Sequence, residues 1–229
     1  MSPRRLTVAS YNIHKARGLD RRVDVDRIAS VLGEIGADIV GLQEVFHGQA
    51  HALADALGLT LVMGGVRESP FGLYGNALLT RMPVVGSHAF DLSQHGREPR
   101  GGLRADVETG AGVLHLFNVH LGLRFGERAA QVARLVAEHV HAGHAPGPRV
   151  LMGDLNEWFP AAVGRTLRRE FHGRHVRRTH PAPAPLFPLD RIYWDEGLSG
   201  GTVHVHRSRL ARVASDHLPL VARFGIAPV

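Results

Sequence analysis

The feature that most constrains the fold is a series of short apolar runs with the composition of β-strands, placed along the whole chain. They cover residues 6–13, 38–43, 59–63, 76–80, 84–90, 103–108, 113–119, 149–152, 190–194, 201–206 and 219–224. Between them, helical spacing of apolar residues occurs at 25–35 and 129–140, and more weakly at 49–57 and 160–170. Asp24 is the predicted N-cap of the first helix and Gly36 its terminator. About ten strands and four helices are therefore expected.

Short turns join several neighbouring strands and indicate hairpins. The runs at 76–80 and 84–90 are separated by a turn with Pro83, and those at 103–108 and 113–119 by one with Gly110 and Gly112. Hairpins are antiparallel, whereas strands alternating with helices favour parallel pairing. We therefore predict an α/β fold of two mixed β-sheets flanked by helices, forming a single domain over residues 1–229.

Composition sets limits on chemistry and location. The 229 residues, 44% of them hydrophobic, are enough for one large core. Because the chain has no cysteine, a metal would be held by oxygen or imidazole, which points to Mg²⁺, Mn²⁺, Ca²⁺ or, less well, Zn²⁺. No apolar stretch reaches the length of a signal peptide or a membrane span, so a cytoplasmic protein with no membrane-spanning segment is expected.

The net charge of +6 favours anionic partners such as nucleic acid, phospholipid surfaces or phosphorylated small molecules. Lys15 is the only lysine, so arginine supplies the excess in a chain also rich in Ala, Gly, Pro and His. The same charge is therefore explained equally well by a bias in composition. Charge alone leaves the substrate open.

Polar residues with catalytic chemistry follow or precede apolar strands at six places. These are Asn12, Glu44, His120, the pair Asp154 and Asn156, Asp190, and the pair Asp216 and His217. A single Asp or Asn at a strand end is ordinarily a turn residue. Six ends with complementary acid, amide and imidazole groups are different, because a sheet brings its strand ends to one edge. We expect them to form one site.

The chemistry of this set fits hydrolysis of a phosphoryl ester. A hard divalent cation needs only Glu44 and one or two of the aspartates, and it polarises the phosphoryl oxygen and activates water. A carboxylate or histidine would orient or deprotonate that water, and amides and imidazoles would stabilise charge on the phosphate. Asp190 is suited to hold His217 by one ring nitrogen.

Seven motifs resemble, in order, those of the endonuclease/exonuclease/phosphatase superfamily and extend over residues 8 to 224. They are Ser10-Tyr11-Asn12-Ile13-His14, Leu42-Gln43-Glu44-Val45, Gly75-Asn76-Ala77-Leu78-Leu79, Asn118-Val119-His120-Leu121, Gly153-Asp154-Leu155-Asn156, Leu189-Asp190-Arg191-Ile192-Tyr193 and Ser215-Asp216-His217-Leu218-Pro219. The resemblance implies a four-layer α/β/β/α sandwich with its site at one edge of the two sheets.

The resemblance also implies a metal site. Glu44 resembles the principal Mg²⁺ ligand, and Asn12 resembles the amide beside it that helps to order metal and water. Asp216 resembles a further ligand of metal or water. The predicted cofactor is therefore Mg²⁺ or Mn²⁺, held by Glu44, Asn12 and Asp216.

The remaining motif residues resemble the catalytic groups of that family. Asp154 resembles the residue that aligns or activates the attacking water, and Asn156 the amide that contacts the scissile phosphate. His217 resembles the imidazole at the phosphate, oriented by Asp190. The substrate is accordingly expected to be a phosphodiester.

His120 narrows the resemblance. Abasic-site endonucleases carry a tyrosine-containing motif at this place, whereas pancreatic-type deoxyribonucleases, neutral sphingomyelinases and inositol polyphosphate phosphatases carry a histidine. In the deoxyribonucleases it is a candidate general acid for the leaving oxygen. We further predict that Arg100 and Asn76 contact substrate, and that His14 and Lys15 could face the site from the loop after Asn12.

Three functions stay open at this level. A nuclease is slightly favoured over a phosphodiesterase or phosphatase acting on a phospholipid headgroup or small phosphorylated molecule, and DNA is a possible partner. Against a nuclease, the chain is close to a minimal scaffold, and its arginine-rich segment at 165–178 is better explained as a solvated helix face than as a track for a nucleic-acid backbone. A non-catalytic binding module is the third function. The sequence leaves the oligomeric state open, with a monomer expected.

Overall fold

The computed structural model describes residues 4–141, 146–159 and 161–226. Its strands are β1 (Arg4–Asn12), β2 (Ile39–Phe46), β3 (Thr60–Arg67), β4 (Tyr74–Thr80), β5 (Val84–Asp91), β6 (Gly101–Glu108), β7 (Val113–His120), β8 (Arg149–Asp154), β9 (Gly173–His175), β10 (Asp190–Trp194), β11 (Leu198–Val205) and β12 (Leu220–Ile226). Each predicted strand is present. The additional strand β9 has only three residues, too few for a periodic pattern in the sequence.

The helices are α1 (Val25–Ile35), α2 (His47–Leu57), α3 (Phe125–Leu135), α4 (Ala162–Glu170) and the short α5 (Ala211–Ala214). The cap prediction for α1 is confirmed: Asp24 accepts a hydrogen bond from the Arg27 amide, and Gly36 is left-handed at φ +61°. A π-helical segment, Val136–His141, continues α3. Residue 160, the first of the predicted 160–170 helix, lies outside the described residues.

Two six-stranded sheets pack face to face. Their strand orders are β11-β12-β1-β2-β4-β3 and β5-β6-β7-β8-β10-β9. Apolar side chains such as Leu6, Ile39 and Leu116 fill the space between the sheets. A second cluster lies between the first sheet and α1 and α2, and a third between the second sheet and α3 and α4. The expected four-layer α/β/β/α sandwich is thus confirmed.

The topology brings the polar strand ends to one edge. In the first sheet β1 runs parallel to β2, and Asn12 lies opposite Gln43. In the second sheet β7 runs parallel to β8, and His120 lies opposite Asp154. The antiparallel strand β10 begins at this edge, where Asp190 is opposite Asp154. Strand ends from both sheets therefore meet around one opening.

A buried amide network ties the two sheets together just below this edge. Asn118, fully buried on β7, donates from Nδ2 to the carbonyl oxygens of Leu42 (2.9 Å) and Ala77 (2.8 Å) in the other sheet. Its Oδ1 accepts from Gln43 Nε2 at 2.6 Å. Each bond satisfies a group that has no access to water. The network fixes how the sheets sit beneath the site.

Replacing Asn118 with alanine is expected to destabilise the fold by about 3 kcal/mol, because the two buried carbonyls lose a donor and Gln43 Nε2 loses its shortest hydrogen bond. Denaturant unfolding measures this loss. Ser87→Ala, at an exposed position of β5, is the control and should change stability little. A loss below about 1 kcal/mol for Asn118→Ala would show that the network does not hold the sheets together.

Candidate active site

A cavity of about 340 Å³ opens at the shared edge of the two sheets. Seven of the residues predicted for the site line it: Glu44, Arg100, His120, Asp154, Asn156, Asp216 and His217. Its other lining residues are His14, Lys15, Glu98, Leu123, Trp158, His180 and Leu189. Asn12 and Asp190 lie directly behind the lining, each almost fully buried. The predicted catalytic and metal-binding residues are therefore brought together.

Asp154 lies at the centre of the contacts. Its Oδ1 accepts from the Asn156 amide at 2.9 Å, and its Oδ2 accepts from Asn12 Nδ2 at 3.0 Å. The Nε2 atoms of His120 and His217 each lie 3.7 Å from Oδ2. The carboxylate is 1% exposed, so it has one orientation relative to the cavity. These contacts suit a group that positions and deprotonates a water molecule.

Gly153 determines how closely β8 approaches β7 just before Asp154. Its φ is +146°, and a Cβ at this position would overlap the carbonyl oxygen of Val119. Any other residue would push the strands apart where His120 and Asp154 are paired. The glycine of this motif therefore serves the geometry of the site.

Asn12 joins carboxylates that belong to different sheets. Its Nδ2 donates to Glu44 Oε1 at 3.2 Å as well as to Asp154, and its Oδ1 accepts from the His14 amide at 3.0 Å. Both ends of the side-chain amide are thus engaged within the protein. Asn12 lies behind the carboxylates and positions them, and its predicted contact with the metal stays a prediction.

Glu44 is paired with the only lysine of the chain. Lys15 Nζ lies 3.2 Å from Glu44 Oε2. Burial raises the pKa of Glu44, but the neighbouring His120 and Lys15 and the Asn12 hydrogen bond outweigh burial and lower the pKa to about 2. The carboxylate is therefore ionised at neutral pH and can act as a ligand for a cation.

The backbone is strained around the cavity. Five of the six described non-glycine residues with positive φ lie there: His14, Lys15, Ala16, Glu44 and Asn156. Left-handed conformations are costly for such residues and persist where the surroundings enforce them. The first three form a left-handed turn, His14–Ala16, that directs His14 and Lys15 to the cavity wall.

His217 forms the predicted pair with Asp190. Its Nδ1 lies 2.8 Å from Asp190 Oδ2, and the Thr179 hydroxyl donates to the same oxygen. Burial alone lowers the pKa of His217, but the carboxylates of Asp190, Asp154 and Asp216 outweigh it and raise the pKa to about 10. His217 is therefore an imidazolium at neutral pH, with Nε2 directed toward the cavity.

His120 has the opposite charge state. Arg100 Nη1 lies 3.2 Å from His120 Nδ1, and Asn156 Nδ2 lies 3.2 Å from His120 Nε2, so an N–H donor faces each ring nitrogen. Burial and the Arg100 charge lower the pKa of His120 to about 4, despite the nearby Asp154 and Glu44. A neutral imidazole is a poor proton donor to a leaving oxygen. The general-acid role of His120 stays a prediction, and in this structure the ring lacks the charge that such a role uses.

Imidazole NMR of the metal-free protein tests these charge states. His217 is expected to keep both ring protons up to about pH 9, and His120 to keep one down to about pH 5, since their pKa values are shifted in opposite directions. Asp190→Asn should lower the His217 pKa. Titration of His217 at the ordinary value of about 6.5 would contradict the assignment.

The two residues predicted to contact substrate have other partners. Arg100 lines the cavity, but its Nη2 donates to Glu98 Oε2 at 2.9 Å. Asn76 does not reach the cavity: it is 1% exposed, and its Nδ2 donates to the carbonyl oxygen of Gly101 at 2.8 Å. Asn76 was predicted from its motif to bind substrate; its position shows a bond between the two sheets instead.

The sequence did not identify three residues that support the site. Thr179 fixes Asp190 from a segment without a strand or helix pattern. Ser215 donates to the carbonyl oxygen of Asn12 at 2.8 Å and so connects the loop before β12 to β1. His180 packs its ring 4.8 Å from that of His217. Only Ser215 stood in a recognisable motif.

The donor set fits a hard divalent cation. The carboxylates of Glu44, Asp154, Asp190 and Asp216 lie at this edge, and Asp190 Oδ1 is buried without a hydrogen-bond partner in the described part of the chain. Asp154, Asp190 and His217 each place one polar atom within 4.8 Å of the others, and so do His180, Asp216 and His217. Because His217 is charged here, the carboxylate oxygens of these clusters are the potential ligands, and such oxygens suit Mg²⁺ or Mn²⁺.

Comparison with known proteins defines the class. Residues 9–217 match the Endonuclease/Exonuclease/phosphatase family, so the chain belongs to this family, whose members are generally metal-dependent phosphoesterases. It is 34% identical over 241 residues to the uncharacterized protein YbhP of Escherichia coli (strain K12), an alignment covering 94% of each protein.

Solved structures share the fold. Mannosyl-6-phosphatase Bt3783 of Bacteroides thetaiotaomicron superposes with a TM-score of 0.78 at 20% identity, covering 96% of this chain and 99% of that one. Truncated TDP2 of Caenorhabditis elegans gives a TM-score of 0.75 at 20% identity, covering 96% of this chain and 98% of that one.

Within the described residues, no helix is both long and apolar enough to cross a membrane.

Proposed function

We propose that this protein is a divalent-metal-dependent phosphodiester hydrolase in which water attacks phosphorus, with a nucleic-acid strand as the favoured substrate. The observation that carries the proposal is the environment of Asp154. Two donors hold this buried carboxylate, and it lies 3.7 Å from the imidazolium nitrogen of His217. A base and a cationic donor thus face one small cavity.

Glu44 and Asp216 are the residues that would hold Mg²⁺ or Mn²⁺, since both carboxylates line the cavity. The bound ion would polarise a phosphoryl oxygen and lower the pKa of water. Asn12 keeps Glu44 and Asp154 at a fixed separation by donating to both. Lys15 is paired with Glu44 in this structure. When Glu44 binds the metal ion, Lys15 can contact the substrate phosphate instead.

Asp154 orients the attacking water and takes its proton. Its two oxygens are already directed by Asn12 and Asn156, so no reorganisation is needed when the water arrives. The same amides support the carboxylate while the phosphate gains charge. This arrangement provides general-base catalysis from a preorganised group.

His217 stabilises charge on the phosphate. Asp190 holds Nδ1, which leaves the Nε2 proton directed into the cavity. As a cation it donates a charge-assisted hydrogen bond to a phosphate oxygen and can pass the proton to the leaving oxygen. Neutral His120 and the guanidinium of Arg100 complete the opposite wall of the cavity.

A nucleic-acid substrate is supported by the net charge of +6 and, at the level of fold, by the zebrafish TDP2 structure complexed with a single-strand DNA product. A small phosphorylated molecule or phospholipid headgroup is the alternative. It is supported by the modest cavity volume and, again for the fold, by the mannosyl-6-phosphatase. Both require the same chemistry at phosphorus.

A substrate panel with Mg²⁺ or Mn²⁺ tests the proposal. It comprises supercoiled plasmid, single-stranded DNA, abasic duplex, phospholipid and inositol phosphates, each with wild-type protein, with chelator and with Asp154→Ala. Metal-dependent cleavage of DNA that vanishes in the variant supports a nuclease. Cleavage confined to phospholipid or inositol phosphates would transfer the proposal to those substrates, and turnover that survives chelator or the substitution would overturn it.

A further inference from the structure

A second groove adjoins the catalytic cavity on the Glu44 side. It has a volume of about 740 Å³ and shares Lys15 with the cavity. Its walls come from the loop after β1 and from the junction of β2 with α2, and Phe71 between β3 and β4 completes them. A substrate bound in the catalytic cavity near Glu44 would extend into this groove past Lys15.

The apolar part of the groove is largely exposed. Phe71 is 79% exposed and Val23 63% exposed. The Phe71 ring meets that of Phe46 edge-on, with centroids 5.8 Å apart. Apolar side chains that are exposed next to one another can mark a ligand-binding groove. The open face of the Phe71 ring provides a surface on which a planar group can stack.

The polar part of the groove carries unneutralised positive charge. Arg17 and Arg21 line it together with Lys15, and none of its described lining residues is acidic. Within the described chain neither arginine side chain makes an ion pair or a hydrogen bond, whereas Lys15 is paired with Glu44. The groove therefore suits an anion joined to an apolar or aromatic group.

The loop that carries these cations is held in place. Gln49 Nε2 donates to the Lys15 carbonyl oxygen at 2.7 Å, and the Asp24 amide donates to that of Ala16 at 2.9 Å. Arg21 has a left-handed φ of +63°. A loop ordered in this way loses little entropy when it binds a ligand.

Of the substrates considered, one has both features. A phospholipid would place its anionic phosphodiester in the catalytic cavity and its aliphatic chains in the groove. Those chains carry no charge to pair with Arg17 and Arg21. Inositol and sugar phosphates bring additional anions without an aromatic face. A nucleic-acid strand alternates a planar base with a phosphate. Stacking on a protein ring requires an unpaired base.

We infer that this groove binds the nucleotide next to the scissile phosphodiester of a single-stranded nucleic acid. The base stacks on the exposed ring of Phe71, which Phe46 supports edge-on, and the adjoining phosphate lies between Arg17 and Arg21. This inference rests on the proposed phosphodiester hydrolase function and specifies its substrate. It also assigns specificity to residues outside the catalytic set.

Equilibrium binding of a fluorescent oligothymidylate tests the inference separately from turnover. The Asp154→Asn protein is used so that the strand stays intact. Phe71→Ala and Arg21→Ala in this background are each expected to weaken binding about tenfold, as stacking and phosphate contacts do elsewhere. Val85→Ala and Arg223→Ala, at exposed positions on distant strands, are the matched controls and should bind like the parent protein.

Turnover of bis(p-nitrophenyl) phosphate separates the two proposals. The groove variants with Asp154 intact should keep kcat at saturating diester, because the catalytic groups are unchanged. Wild-type protein without metal-dependent turnover would overturn the proposed function. If turnover is present but the groove variants bind the oligonucleotide like the controls, the inference is overturned. The inference is also overturned, in favour of a lipid, if the groove variants bind the oligonucleotide normally but lose binding to phosphatidylglycerol vesicles.

Discussion

Asp154→Asn is expected to lower kcat for phosphodiester hydrolysis by on the order of 10³- to 10⁴-fold, because the buried carboxylate is the proposed base for the attacking water. Asparagine keeps the size of the side chain, and its single oxygen can still accept from one of the two donors, Asn12 Nδ2 or the Asn156 amide. It cannot accept a proton. Steady-state turnover of bis(p-nitrophenyl) phosphate with Mn²⁺ measures the change.

Asp26→Asn is the matched control, since Asp26 is exposed on α1, away from the cavity. It should keep wild-type turnover. Both variants should melt close to the wild-type temperature, so that any loss of turnover reflects chemistry and not unfolding. Retention of more than about a tenth of wild-type kcat by Asp154→Asn would remove this residue from the base role.

His217→Gln and Asp190→Asn are each expected to lower kcat by about 10²- to 10³-fold, and the double variant by hardly more than His217→Gln alone. Asp190 acts through His217: its Oδ2 fixes Nδ1 and keeps the ring charged. Once the imidazole is gone, that carboxylate has nothing to orient. Turnover of the single and double variants forms a double-mutant cycle that measures the coupling.

The cycle has a direct control in Thr179→Val, which removes the hydroxyl that donates to Asp190 without altering either catalytic partner. A smaller loss, of about tenfold or less, is expected, because Asp190 retains His217 as a partner. Fully multiplicative effects of the Asp190 and His217 substitutions would show that the two residues act independently. The account of a paired imidazolium would then fail.

Most of the fold could be predicted because its signals are local and repeated. Apolar strand runs, hairpin turns and the Asp24 and Gly36 caps each act over a few residues, and they agree with one another. What the sequence does not contain is the pairing between distant strands. The order β11-β12-β1-β2-β4-β3 depends on long-range packing, which no local pattern in the sequence specifies.

The site was predictable where a side chain stands at a strand end, and less so where its role depends on neighbours. Asp154 is placed by the end of β8, Glu44 by the irregular register of β2 between Leu42 and Val45, and His217 by the loop before β12. Asn12 and Asn76 were assigned to metal and substrate, but their hydrogen-bond partners come from distant segments. Thr179 also contacts its partner, Asp190, from an irregular loop, and no local pattern in the sequence indicates this contact. The charge states of His120 and His217 likewise follow from burial and neighbouring charges.

Hydrolysis of a simple phosphodiester in ¹⁸O-water most directly tests the central claim that this edge of the two sheets activates water for attack on phosphorus. With Mn²⁺ or Mg²⁺ and wild-type protein, we expect one ¹⁸O atom in the phosphate monoester product, detected by mass spectrometry, and no product with chelator or with Asp154→Asn. Label in the released alcohol, or equal turnover in the presence of chelator, would contradict the account.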